Sequence, residues 1–327
     1  MPEAKKILVT VEKDEKHAAP VIQWAALMAR TIGGRLTLLH VNESVESLRG
    51  RGVPSDAEEI ERETIERWRT QYETTARAEL SSLISQYCAG VTTDLLVLTG
   101  RAPAIILGAI ESTNCDLVIM GTHGRPWYER ALVGSTAEAI LRASPTPVLI
   151  VHNMIATLPP TRLARLVFPT DFSPASGMGE EWARTLVTHG VQEVVLVHSV
   201  ENPLLGLYNP DTVDIDVRRL MEEARQHPPR SAQPFWDHAH HVAHAKLSEL
   251  RQQLLSALPD AGQVEVVVGE GPAAEYILGV TEQKHPDLIV MPTHGRTGVQ
   301  RLLLGSVTTK IVRAVSCPVL VVPSPEK

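Results

Sequence analysis

The chain has 327 residues, 43% of them hydrophobic and 21% charged, with a formal net charge of −7. That length exceeds what one hydrophobic core usually organises, the ordinary apolar content excludes a disordered chain, and the acidic balance supplies no basic field for a nucleic-acid partner. No run of 18 apolar residues offers a membrane-spanning helix, the N-terminus carries no secretory apolar region, and Cys88, Cys115 and Cys317 form no Cys-x-x-Cys pair, so the expectation is a cytoplasmic protein.

Short runs of β-branched and aliphatic residues alternate with helical stretches along the whole chain. The order is a strand over 7–11, a helix over 17–32, a strand over 36–41, a long helical region, and a strand over 91–98. A helix, a strand over 117–121, a further helix and a strand over 147–151 complete the series. Around 153–162 the Leu-Pro-Pro-Thr stretch interrupts the pattern and reads as a linker. The same order then returns: strand 166–170, helix 174–189, strand 194–199, a long region, and strands 263–268, 288–292 and 318–322, with helices between the last three. Continuous apolar runs alternating with helices indicate parallel strands buried on both faces, so each half reads as a doubly wound α/β domain with a five-stranded sheet.

The two halves are copies. Residues 116–151 align with 287–322 at an offset of 171, and 18 of the 36 positions are identical. The first strands align at an offset of 159, so the second half carries about a dozen extra residues, including a His-rich stretch near 227–244. The domains are therefore placed at 1–152 and 163–327.

In an open parallel sheet, ligands bind beyond the carboxyl ends of the strands, where strand order reverses. Two loops per half meet there: the one after the first strand, with Glu12 or Asp171, and the one after the fourth. The latter reads Gly121-x-x-Gly124, nine residues, then Gly134-Ser135 and a helix. Gly121 and Gly124 would admit a ribose or phosphate close to the backbone, while Gly134 and Ser135 would present N–H groups and a hydroxyl at a helix N-terminus, where anions are stabilised. An isolated Gly-x-x-Gly is usually only a turn. Here it follows a buried strand, opens a helix and recurs as Gly295-x9-Gly305-Ser306.

Gly-x-x-Gly-x9-Gly-Ser after a strand ending in Met resembles the nucleotide-binding signature of ATP-binding universal stress proteins, and Phe168-Pro169-Thr170-Asp171-Phe172-Ser173 is similar to that family's opening segment. The resemblance covers both halves. It implies strand order 3-2-1-4-5, bound ATP with room for Mg2+, and pairing of two pseudo-twofold related domains through their last strands, within this chain or between two copies. By position it puts adenine near Glu12 and Val41, ribose near Met120, Gly121 and Gly124, and phosphates near Gly134, Ser135 and Thr136. In the second half the matching residues are Asp171, Ser199, Met291, Gly295, Gly305, Ser306 and Val307. The family usually has Asp where Glu12 stands, and a glycine where Pro292 stands; because proline has no N–H, the sequence ranks the first half as the tighter site.

Other candidates point elsewhere. Arg125 and Arg296 could reach a γ-phosphate, or stand solvated on their loops. His123 and His294 have no nucleophile or carboxylate placed beside them by the sequence, and neither a P-loop nor a His-x-Gly-His transferase motif is present, so no catalytic residue is assigned; slow hydrolysis of ATP remains compatible. His240 with His244, and Asp237 with His241, are spaced to chelate on a helix, with His227 and His238 nearby, yet such clusters usually line a solvated face, and no metal ligand is assigned. His40 and His198 end the second strand of each half and read as repeated structural features. The functional expectation is a regulatory ATP-binding stress protein. Its rivals are a weak ATPase and a dimerising protein that acts through its surface without nucleotide.

Overall fold

The computed structural model describes residues 4–43, 58–122, 134–152, 159–200, 233–258, 262–293 and 304–323. The chain divides into two compact units, the first comprising Met1–Leu163 with Ser316–Pro323, the second Ala164–Gly298 with Gly305–Val315.

The first unit runs β1 (Lys5–Thr10), α1 (Glu15–Ile32), β2 (Gly34–Asn42), α2 (Glu58–Tyr87), β3 (Thr93–Thr99), α3 (Ala102–Thr113), β4 (Leu117–Thr122), α4 (Ser135–Ala143) and β5 (Val148–His152). Its strands lie in the order β3-β2-β1-β4-β5, parallel throughout, as the family resemblance implied. β1 is central and its Ile7, Leu8 and Val9 are buried, as a strand covered on both faces demands. α1 ends at Gly33, which takes the left-handed conformation (φ 69°) that reverses the chain straight into β2. β10 (Val319–Val322) is grouped with this unit and runs antiparallel to β5, Val319 opposite Ile150 and Val321 opposite Val148.

The second unit runs β6 (Arg165–Pro169), α5 (Ser176–Thr188), β7 (Glu193–Val200), α6 (Gln233–Leu255), β8 (Gln263–Glu270), α7 (Ala273–Lys284), β9 (Leu288–Pro292) and α8 (Ser306–Ala314). Its sheet order is β8-β7-β6-β9, again parallel and equivalent to the first four positions of the other unit. Phe168 fills the centre beneath α5, where Gly179 makes the room: a Cβ there would lie 2.9 Å from the Phe168 ring.

The repeat's leading aspartate is explained by the sheet. Asp116 accepts the Lys6 N–H at 2.8 Å and the Lys5 ammonium at 3.0 Å, and Asp287 accepts the N–H groups of Ala164 and Arg165 at 2.7 and 2.9 Å. Each carboxylate thus ties the fourth strand to the start of the first. Burial pushes the Asp116 carboxyl up, but the Lys6 bond and the Lys5 charge outweigh it and hold the group below its ordinary value.

Candidate functional site

The central strands of each unit end side by side. Thr10 of β1 is in register with Met120 of β4, while β2 flanks β1 on its other edge, so strand order reverses between β1 and β4. Glu12 is exposed just past β1, Val41 is half-buried near the end of β2, Met120 is buried, and Gly121 is half-buried. In the second unit Asp171 follows β6, Ser199 lies near the end of β7, and Met291 and Pro292 are buried at the end of β9. Gly124, Gly295, His123, Arg125, His294 and Arg296 lie outside the described residues, as do His227 and part of the linker.

The anion end is built alike in both units. Gly134 and Gly305 are the N-caps of α4 and α8, with φ/ψ of −53°/144° and −56°/145°, and neither helix has a side-chain cap hydrogen bond. A Ser, Thr or Asp cap would satisfy the second or third helical N–H; glycine leaves those donors to another acceptor, and the helix dipole favours a negative one. Ser135 and Ser306 stand exposed at the first helical position, followed by half-buried Thr136 and Val307. Together they could hold the phosphates of a nucleotide.

The corner beside Glu12 and Val41, and its counterpart beside Asp171 and Ser199, sets side chains that the sequence did not single out, Tyr72, Lys13 and Lys246, around the His40 and His198 that it did. In the first unit, buried His40 donates from Nδ1 to the Val11 carbonyl (2.9 Å), and its Nε2 meets the Tyr72 hydroxyl at 3.0 Å. The two rings stack 5.9 Å apart, and the Lys13 ammonium sits 5.0 Å from the Tyr72 ring centroid. Burial raises the Tyr72 phenol above its ordinary pKa, with the negative charges of Glu79 and Glu12 adding to the effect, so its hydroxyl remains a proton donor.

In the second unit His198 donates from Nδ1 to the Thr170 carbonyl at 2.7 Å, its ring lies 4.5 Å from that of Phe172, and Lys246 sits 5.1 Å from the Phe172 centroid. Phe172 adopts φ 62°, a strained conformation for a bulky residue, with its N–H on Thr170 Oγ1. Asp171 Oδ1 accepts the Ser173 N–H at 3.0 Å and the Ser176 hydroxyl at 2.8 Å, which orients the carboxylate. The Ser199 hydroxyl donates to the Gly271 carbonyl at 2.7 Å; Val41, in the matching place, has no such donor.

The His-rich helix has a different character. His240 pairs with Glu270 of β8 at 2.9 Å, while His241 and His244 are exposed on α6. Among the described residues no group of three His, Cys, Asp or Glu side chains is gathered to hold a metal ion. Nor is any helix among them long and apolar enough to cross a membrane.

Comparison with known proteins agrees with this architecture. The model of the universal stress protein family matches residues 3–152 and again 163–323. A universal stress protein of Mycolicibacterium smegmatis is 28% identical over 319 residues, spanning 97% of this chain and 96% of the relative. A solved universal stress protein from Archaeoglobus fulgidus shares the fold at a TM-score of 0.59 and 18% identity, covering 98% of this chain and 97% of the other. A putative universal stress protein structure from Pseudomonas aeruginosa does so at 0.60 and 15%, with 98% and 94% covered. With the family matched twice along one polypeptide, this chain belongs to the universal stress protein family and carries two of its domains in tandem.

Proposed function

We propose that this protein binds ATP reversibly and acts as a regulatory stress-tolerance factor, with domains at 1–152 and 163–327. The observation that carries the reading is the pair of glycine-capped helices, α4 and α8, each opening beside the end of a fourth strand with no side-chain cap. A helix N-terminus whose cap supplies no side-chain acceptor, at the switch point of a parallel sheet, suits a phosphate chain. The adenine end would lie against Glu12 and Val41, or Asp171 and Ser199, and the ribose against Met120 and Gly121, or Met291. Mg2+ would travel with the triphosphate. The protein is proposed to work in the cytoplasm.

The two halves are proposed to pair through their last strands, a reading supported by the ladder joining Val148–Ile150 to Val319–Val321. It also removes the edge-pairing hazard of two apolar strands. Homodimerisation would use the same principle between copies.

The experiment is isothermal calorimetry of the full chain with ATP, together with mass spectrometry of any small molecule released on denaturation. Binding of ATP or release of an adenine nucleotide is expected. Gly134→Val fills the space a phosphate needs and should weaken ATP at the first-half site at least about tenfold. Unchanged affinity there would remove phosphate from that loop, and a protein that neither binds nor releases nucleotide would favour action through surfaces alone.

A further inference from the structure

The two anion ends differ in one buried hydroxyl in the first turn of the helix. In the second unit Gly305 donates its N–H to the Thr293 carbonyl at 2.8 Å, and the buried Thr308 hydroxyl donates to the Pro292 carbonyl at 2.9 Å. Two successive carbonyls at the end of β9 therefore anchor the first turn of α8, one from its cap and one from its third residue. Thr308 is 3% exposed, so its hydroxyl bond is shielded from water, and deleting the hydroxyl would leave the Pro292 carbonyl without this donor. In the first unit the residue matching Thr308 is Ala137, fully buried and without a hydroxyl.

Charge adds to the difference. The first turn of α4 contains Glu138, paired with Arg142 one turn on, whereas the first turn of α8 has no acidic residue and places Thr309 at the matching position. A carboxylate there opposes an incoming phosphate, while the first turn of α8 is held by the Thr308 hydroxyl and carries no such charge.

We infer that Thr308 is a positioning residue for the phosphate end, and that the second half is the tighter ATP site. This rests on the nucleotide-binding reading above. It reverses the ranking suggested by Pro292: the proline lacks an N–H, but its carbonyl receives the Thr308 hydroxyl that helps hold the phosphate helix.

Calorimetry of the full chain with ATP and, separately, with adenosine tests the inference. The wild-type protein should show a tight and a weak ATP class, the tight one disappearing in Gly305→Val. Thr308→Val, nearly the same size but without the donor, should weaken the tight class about tenfold for ATP and leave adenosine unchanged, with Thr308→Ser restoring ATP binding. Glu138→Gln, on a partly exposed side chain of α4, should strengthen the weak class about threefold, an outcome independent of how the Thr308 variants fold. A tight class that survives Gly305→Val, an equal loss of ATP and adenosine in Thr308→Val, or no change in either the Thr308→Val or the Glu138→Gln protein overturns the inference while ATP binding stands. A folded wild-type protein that binds no ATP overturns both.

Discussion

Comparing the two halves at the corner after their first strands shows how a duplicated domain diverges. Both place a histidine from the second strand on the carbonyl just beyond the first, and both set an aromatic ring against that histidine with a lysine over the ring. The positions have been exchanged. In the first half the lysine comes from the loop, as Lys13, and the ring from the helix, as Tyr72; in the second the ring comes from the loop, as Phe172, and the lysine from the helix, as Lys246. What persists is the contact itself, a cation on the face of a ring.

The cores diverge in the same paired fashion. Phe168 and Val9 occupy the same place in their central strands, and the helices above them carry Gly179 and Pro20 at matching positions. The larger ring in the second half is accommodated by a missing side chain on the helix. Gly179 therefore resists replacement by alanine even though alanine favours helix, because the added carbon meets the ring.

The largest expected effect that sharpens this comparison is on stability. Phe168→Ala should cost about 3–5 kcal/mol, because the fully buried ring leaves a cavity beneath a helix already reduced to glycine, whereas Val9→Ala should cost about 2 kcal/mol. Urea unfolding of the two variants measures the difference; equal losses would mean that the second core collapses around the vacancy.

Next is acid sensitivity, which the comparison assigns to the first unit. His152 ends β5 with Nε2 enclosed and lacking a hydrogen-bond partner among the described residues, and burial pushes its pKa down from 6.5 to about 4. Pro323 stands at the matching place in the second half and does not titrate. Between these pH values the unfolded chain binds a proton that the folded one refuses. The contribution is therefore intact above about pH 6.5 and declines as pH falls towards 4, by about 3 kcal/mol in all. His152→Leu should flatten that part of the stability profile relative to wild type in thermal melts between pH 7 and 4.5, and parallel profiles would show that the ring is solvated in solution.

The smallest effect tests the exchanged contacts. Lys13→Ala and Lys246→Ala should each cost about 0.5–1 kcal/mol, similar to one another despite the reversed geometry. A marked inequality would show that only one of the two contacts contributes to stability.

Much of this protein was legible in its residues. The strand expected over 288–292 is Leu288–Pro292, and those over 117–121, 166–170 and 194–199 agree with β4, β6 and β7 to within a residue at each end. Parallel strands buried on both faces require continuous apolar runs, and such runs are visible locally. The glycine caps were legible for a similar reason, since Gly134 and Gly305 recur at a fixed distance from a strand end and immediately precede a helix.

The sequence by itself thus determined the tandem repeat, the alternation of strand and helix, and the glycine caps of α4 and α8, because each depends on neighbouring residues and on backbone geometry. Only the tertiary structure decided which side chains meet. Tyr72 reaches His40 from 32 residues away, Lys246 reaches Phe172 from a helical position that follows the extra residues of the second half, and Thr308 finds the carbonyl of Pro292, 16 residues earlier. Alignment pairs Ala137 with Thr308 as one more ordinary substitution. The hydroxyl gains its meaning from a carbonyl held 2.9 Å away in a site that water cannot supply.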